Sequence, residues 1–190
     1  MEKYLFETAN FEDFSCSSKI STLLKLAKLD LEGTTIGALV SSCCALFPKK
    51  EAIESLVELG NESESEEKVV QSVIEFHSHQ GFNCLTVIFS MANAYRNENN
   101  EYPSGPMLIE IEESCLFLIQ LAKSAKLDLE KILNHTAESG HTLFFLASIF
   151  SETITEQLLS ETNDHGKMIV RVNSINDLFA SSYFRVRLKL

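Results

Sequence analysis

The histidines of this chain are candidate metal ligands because of their side chains and their spacing. His77 and His79 are separated by one residue, and His135, His141 and Cys84 could supply more distant ligands. Zinc needs four ligands, or three and a water molecule, at fixed distances. Residues two apart do not share a helix face, and the sequence contains no HExxH or CxxC motif. We therefore expect surface or turn histidines and no bound metal or cofactor, and we keep a small metal-dependent enzyme as the weaker alternative.

The five cysteines do not form a catalytic or disulfide pattern. Their number is odd, no CxxC pair occurs, and the adjacent Cys43 and Cys44 would point in different directions. Together with Cys84 and Cys115 they lie in apolar helical runs, which predicts buried thiols in a reducing compartment rather than nucleophiles. The sequence also contains no GxSxG motif and no glycine-rich phosphate-binding motif. We therefore predict that the protein is not an enzyme.

One serine stands in a strongly acidic segment. Ser63 lies within residues 62–67 and has Glu66 three positions after it. This context suits an acid-directed kinase, and a phosphate would add about −1.5 to −2 charges beside the existing acids. The same spacing is that of a capping box, which would begin a helix through residues 69–74. We favour the capping interpretation and keep Ser63 as a candidate phosphorylation site.

Charge is divided unevenly along the chain and limits the partners that we expect. Of the formal net charge of −11, residues 1–166 carry −15 and residues 167–190 carry +4. An acidic body repels the anionic backbone of a nucleic acid. It favours instead a partner protein with a basic surface. The apolar content of 45% argues against intrinsic disorder. No run of 18 uncharged apolar residues and no secretory signal occurs, so we expect a cytoplasmic protein, or also a nuclear one, with no membrane partner.

Helices must position these residues, because helical spacing dominates the chain. Seven glycines and three prolines in 190 residues favour long regular elements. Apolar residues recur at three- and four-residue spacing in residues 20–27, 53–57 and 69–74. Residues 116–121 are apolar on nearly all sides, which is typical of a helix packed between other helices.

Three breaks divide the helical part, and a different pattern follows them. Turn-forming residues cluster at 60–67, 97–106 and 163–166. Residues 168–172 and 183–188 then alternate apolar and polar side chains, as strands do. We predict an all-α fold with a short C-terminal tail that is either extended or paired as a small hairpin.

Parts of the sequence repeat. The hexapeptide Ala-Lys-Leu-Asp-Leu-Glu occurs at residues 27–32 and 125–130, each time after a leucine-rich apolar run. A glycine opens a further apolar helix after each copy, at Gly33 and Gly140, and Gly81 opens a third. Glycine permits positive φ at an opening turn. Thr35, Asn83 and Thr142 follow these glycines by two residues and could cap the helices.

The segment that Gly140 opens resembles the start of an ankyrin repeat, Gly-x-Thr-Pro-Leu-His-x-Ala. Gly140, Thr142 and Ala147 stand at motif positions, whereas Leu143 and Phe145 replace the proline and the histidine. Leu158 and Leu159 then fall where the second helix of a repeat carries its leucines. The opening glycines are 48 and 59 residues apart, against about 33 in the family, so the resemblance requires insertions such as the 97–106 segment.

The resemblance implies stacked helical hairpins, an ankyrin-like solenoid, over residues 1–166, with residues 167–190 as a basic tail or capping segment. It further implies a non-catalytic protein–protein interaction module, a regulator or adaptor with an acidic binding surface. Residues beside the opening glycines would contact the partner: Glu32, Thr34, His79, Gln80, Phe82, Ser139 and His141. A homo-oligomer, such as a homodimer, that pairs through residues 144–150 and the tail strands is the structural alternative.

Overall fold

The computed structural model describes residues 33–46, 48–62, 64–78, 80–163 and 165–171. These residues form eight helices: α1 (Gly33–Leu46), α2 (Lys50–Asn61), α3 (Glu66–Glu75), α4 (Cys84–Asn99), α5 (Pro106–Ser124), α6 (Leu129–Leu133), α7 (Leu143–Phe150) and α8 (Glu152–Ser160). The same residues contain no strand, only two isolated antiparallel bridges, which join Thr136 to Thr142 and Thr162 to Met168. The all-α prediction is therefore confirmed for the part of the chain that the structure describes.

Six of the helices form three pairs, and in each pair two helices that are consecutive in the chain contact each other. Helix α1 contacts α2, α4 contacts α5, and α7 contacts α8. Between the pairs, α1 packs on α4 and α4 on α7, while α2 packs on α5 and α5 on α8. Helix α3 contacts α1, α2, α4 and α5. Each pair thus buries its apolar residues against the next pair, which one pair alone could not do.

Helix α5 is buried on most of its sides. It contacts α2, α3, α4 and α8. Leu116, Phe117 and Leu121 are half-buried, and the fully buried side of the helix carries Ile111, Ser114, Cys115, Leu118, Ile119 and Ala122. The predicted helix between other helices is therefore confirmed over residues 116–121.

Helix α1 approaches α3 so closely that only glycine fits between them. A Cβ atom on Gly37 would stand 2.3 Å from the carbonyl oxygen of Ser72 and 2.9 Å from Cβ of Phe76. Real Cβ atoms do not come this close to backbone oxygen, so this residue sets the distance between the two helices.

The predicted capping box before α3 is wrong. The helix begins at Glu66, which makes Ser65 its N-cap, and the Ser65 side chain makes no capping hydrogen bond. Ser63 stands two residues before that position and lies outside the described residues. A serine and a glutamate three apart form a capping box only where the serine is the N-cap.

The loop predicted at 97–106 is shorter and more firmly held than its composition suggests. Helix α4 continues to Asn99 and ends because Asn100 adopts a left-handed conformation, with its N–H donating to the Arg96 carbonyl at 2.8 Å. The next helix begins at Pro106, a position that proline favours. The Tyr102 ring lies 6.1 Å from the Phe150 ring and carries the Arg96 guanidinium 4.9 Å above it. The loop is therefore packed onto α7.

One further expectation about local structure is wrong: Thr35 lies inside helix α1 rather than before it, so it is not the N-cap of that helix. The described start of the tail is neither helix nor strand, Met168 forms an isolated bridge to Thr162, and Ile169 and Val170 are buried. The extended or hairpin-paired tail therefore stays a prediction. Residues 183–188 lie outside the described residues. None of the described helices combines the length and the apolar character needed to cross a membrane.

Candidate functional site

Three turns of the described chain share one hydrogen-bond pattern. We call the described residues within 78–82 turn 1, residues 137–141 turn 2 and the described residues within 163–167 turn 3. In turn 1 the N–H of Ser78 donates to the Phe82 carbonyl, and the N–H of Gly81 donates to the Ser78 carbonyl, each at 2.9 Å. The same two bonds recur at the corresponding residues of turn 2 and turn 3, with distances between 2.8 and 3.0 Å. One local structure is therefore built three times.

A glycine in the left-handed region makes each of these turns possible. The φ angles are 73° at Gly81, 79° at Gly140 and 71° at Gly166. A tight turn followed by a left-handed residue is a common hairpin loop, and glycine adopts that conformation without steric cost. The sequence indicated the first two of these glycines as opening residues. The third was missed because turn 3 starts only 26 residues after turn 2, whereas turns 1 and 2 are 59 residues apart.

The predicted caps follow turns 1 and 2. The Asn83 side chain accepts a hydrogen bond from the Thr86 N–H at 2.9 Å, and Thr142 Oγ1 accepts one from the Phe145 N–H at 3.1 Å. Both predicted N-caps are therefore confirmed. Asn83 is buried and its Nδ2 also donates to the Ile132 carbonyl at 3.4 Å, which joins turn 1 to helix α6.

Turns 1 and 2 lie side by side and are directly bonded. The Glu138 N–H donates to the Gln80 carbonyl at 3.2 Å. His135 Nε2 donates to the Gly81 carbonyl at 2.6 Å, and the rings of His135 and His77 have centroids 4.3 Å apart. We call the surface formed by residues 77, 78, 80–82 and 135–141 the turn edge. Its two turns are fixed relative to each other by these contacts.

The environment of His77 at the turn edge lowers the pKa of its imidazole. Partial burial is the main cause of the lowered pKa of His77, and the nearby His135 and Lys131 lower this pKa further. Glu75 has a smaller, opposing effect. Two imidazolium rings at this separation would repel each other. The His77 ring therefore contributes an uncharged, partly apolar surface at neutral pH.

Turn 3 is attached to the segment that leads into turn 2. Asn134 Nδ2 donates to the Ile169 carbonyl at 2.8 Å, and its Oδ1 accepts from the Arg171 N–H at 2.6 Å. The Arg171 guanidinium forms an ion pair with Glu130. Just before the turn, the buried Glu161 is paired with Lys123 of α5 at 2.7 Å. The described start of the tail thus packs on the helical body.

Three rings run from turn 1 across turn 2 onto helix α7. The centroids of Phe82 and His141 are 6.4 Å apart, and those of His141 and Phe145 are 5.2 Å apart with planes inclined by 10°. His141 Nδ1 shares a hydrogen bond with Ser139 Oγ at 3.0 Å, which fixes the orientation of the imidazole. We call Phe82, His141 and Phe145 the ring row. All three are half-buried, so each ring keeps part of its surface in solvent.

Four of the seven predicted partner-binding residues are brought together at the turn edge. They are Gln80, Phe82, Ser139 and His141, which come from turns 59 residues apart. Thr34 lies in the first turn of α1, and Glu32 and His79 lie outside the described residues.

The prediction missed four residues of this surface. His77, His135 and Glu138 join the two turns, and Phe145 extends the ring row. The sequence offered a signal for them, since His77, His135, His141 and His165 lie within or beside the three turns.

Most of the described thiols lie in the core. Cys44, Cys84 and Cys115 are buried, as predicted, and Cys43 is half-buried. Burial raises the pKa of Cys84 to about 12 and raises that of Cys44 and Cys115 well above the ordinary value. Such thiols stay protonated at neutral pH and are poor nucleophiles. Within the described residues, no group of three or more histidine, cysteine or acidic side chains is placed to hold a metal ion.

The fold and the turns define an all-α protein with a repeated surface turn. Comparison of the chain with protein-family models, with curated proteins and with solved structures finds no match. The ankyrin resemblance therefore stays a prediction, and the function is argued from geometry.

Proposed function

We propose that this chain is a non-catalytic protein-interaction module, a regulator or adaptor, that binds a partner protein through the turn edge. The observation that carries the proposal is the repetition of one turn, with the same hydrogen bonds and the same positive-φ glycine, three times. Turns that are held by helices and by each other present their side chains at fixed positions. Such a surface loses little conformational freedom when it binds.

An array of stacked helical hairpins, similar in plan to ankyrin repeats, accounts for this arrangement. Turn 1 is followed by the pair α4 and α5, and turn 2 by the pair α7 and α8. Helix α4 contacts α7, and α5 contacts α8, as expected for neighbouring repeats. In this plan the loop before α5 and the short helix α6 are insertions, which explains the long spacing between turns 1 and 2.

The charge of the body favours a basic partner. The described residues contain nineteen acidic and nine basic side chains. Complementary charge accelerates encounter and discourages partners of the same sign, more than it sets affinity. We therefore propose a protein partner with a basic surface, and we do not propose a nucleic acid, whose backbone is itself anionic.

A matched pair of charge-changing variants tests the proposal. The full chain would be used as bait in extracts of its native cell, and bound proteins quantified by mass spectrometry. Gln80→Arg with Ser139→Arg adds two positive charges to exposed sites of the turn edge. Gln71→Arg with Thr153→Arg adds the same charges to exposed sites of helices α3 and α8.

We expect a defined set of partners to be lost with the turn-edge variant and retained with the helix variant. If both variants retain the same partners, the turn edge is not the binding surface. If the wild-type chain recovers no specific partner, the interaction proposal itself fails. Circular dichroism and urea unfolding of each variant establish that the fold is intact.

A further inference from the structure

We infer that the ring row binds an arginine side chain of the partner, with the carboxylate of Glu138 beside it. The inference rests on the proposed function, because it names the side chain that the turn edge would recognise. It starts from three half-buried rings in mutual contact, at 6.4 and 5.2 Å between centroids, on a protein whose described residues are strongly acidic.

The rings are arranged before any ligand binds. His141 is stacked nearly parallel to Phe145 and shares a hydrogen bond with Ser139. Phe145 lies in the first turn of α7, where its N–H donates to Thr142 Oγ1. A cation within about 6 Å of an aromatic face is attracted by the electrons of the ring. The rings of His141 and Phe145 are already held in place, so little side-chain entropy is lost on binding.

A negative charge stands next to this surface. Glu138 is exposed, and its Cγ would be 3.4 Å from a Cβ placed on Gly81, the residue before Phe82. In the inferred site, a cation over the ring row would meet this carboxylate as well as aromatic faces. A guanidinium is planar, stacks on rings and donates two parallel hydrogen bonds to a carboxylate, whereas an ammonium group does not. For this reason arginine fits the site better than lysine.

The third turn limits where the cation can bind. Lys167 occupies in turn 3 the position that Phe82 and His141 occupy in turns 1 and 2, and it is exposed. An ammonium group there disfavours a second cation nearby. The inferred site is therefore confined to turns 1 and 2 and the start of α7.

Peptide binding to the full-length chain tests the inference. The probe is a fluorescein-labelled peptide of three Gly-Ser-Arg units, measured by fluorescence anisotropy at about 0.15 M salt, where screening suppresses long-range attraction. Two matched peptides replace every arginine by lysine or by citrulline, which has the shape of arginine without its charge. We expect the arginine peptide to bind most tightly and the citrulline peptide most weakly.

Variants of the protein assign the binding to the ring row. Phe82→Leu with Phe145→Leu keeps apolar volume and removes two of the three rings, and we expect about fivefold weaker binding of the arginine peptide. Glu138→Gln removes the adjacent charge, with an expected weakening of about fivefold. Glu156→Gln removes one exposed charge on helix α8 and is the matched control. It should change affinity by less than about twofold.

Several results would overturn the inference. Equal binding of the citrulline peptide would exclude recognition of charge, and equal effects of Glu138→Gln and Glu156→Gln would show only diffuse attraction to an acidic body. If the arginine peptide does not bind while the turn-edge variant loses its cellular partners, this inference fails and the proposed function stands. If the arginine peptide binds as inferred while the turn-edge variant keeps all its partners, the proposed function fails instead.

Discussion

Replacing Gly81 by alanine tests whether turns 1 and 2 are bonded side by side. The residue has φ of 73°, and an added Cβ would stand 3.3 Å from the backbone nitrogen of Glu138. Gly166 of turn 3 has nearly the same φ, 71°, but no atom within 4 Å of such a Cβ. The two glycines therefore share the backbone strain and differ in the contact, which makes Gly166→Ala the matched control.

The expected magnitudes follow from these two facts. A left-handed conformation costs an L-residue about 1–2 kcal/mol, and the reduced freedom of the unfolded chain returns about 0.4–1 kcal/mol. Gly166→Ala should therefore lower the free energy of unfolding by about 1 kcal/mol. Gly81→Ala also pushes the turns apart and endangers the bond from Glu138 N–H to the Gln80 carbonyl, which adds about 1 kcal/mol. We expect a loss of about 2 kcal/mol at Gly81.

Urea unfolding of the full-length chain, followed by circular dichroism at the helical band, measures both variants. The two curves should share one slope and differ in midpoint, because neither substitution changes the surface exposed on unfolding. If Gly81→Ala costs no more than Gly166→Ala, the close packing of turns 1 and 2 is refuted. A cost at neither position would refute the left-handed glycines themselves.

Three other predictions use the same unfolding assay. Gly37→Ala places Cβ against the Ser72 carbonyl and should cost about 3 kcal/mol; a loss below about 1 kcal/mol would contradict the close approach of α1 and α3. Lys126 has a left-handed φ of 53° at the end of α5, so Lys126→Gly should stabilise by about 0.5–1 kcal/mol, whereas Lys126→Ala should not. His77 has a lowered pKa in the folded chain, so unfolding takes up a proton. Its contribution to stability is complete above pH of about 6.5 and is lost as pH falls through the folded pKa. His77→Gln should therefore reduce the loss of stability between neutral and acidic pH, and an unchanged loss would contradict the lowered pKa.

Local chemistry explains which expectations the structure confirms. Thr142 and Asn83 cap their helices because each stands two residues after a left-handed turn glycine, where its side-chain oxygen reaches the first N–H groups of the helix. The apolar run at 116–121 is likewise sufficient to predict a buried helix. The expectations that are wrong depend on the exact residue at which a helix begins. The capping box requires α3 to begin at residue 64, and α3 begins at Glu66.

The candidate site was only partly predictable for a related reason. Gln80 and Ser139 could be chosen because each lies next to a turn glycine. The contacts of Glu138 and His135 with turn 1 could not be foreseen, because they depend on how α4, α5 and α6 bring back a segment from almost sixty residues away. Turn 3 lacked a regular spacing that would have connected its glycine with the other two.

The sequence by itself determined the helical class, the turn glycines Gly81 and Gly140 with the caps that follow them, and the acidic character of this protein. Each of these depends on interactions between residues a few positions apart, or on composition alone. Tertiary structure decided that turn 1 lies against turn 2, that Phe82, His141 and Phe145 form one row, and that turn 3 repeats the pattern. These features depend on helix lengths and on packing between distant segments. Lengthening a helix by one residue rotates everything that follows by about 100° around the helix axis.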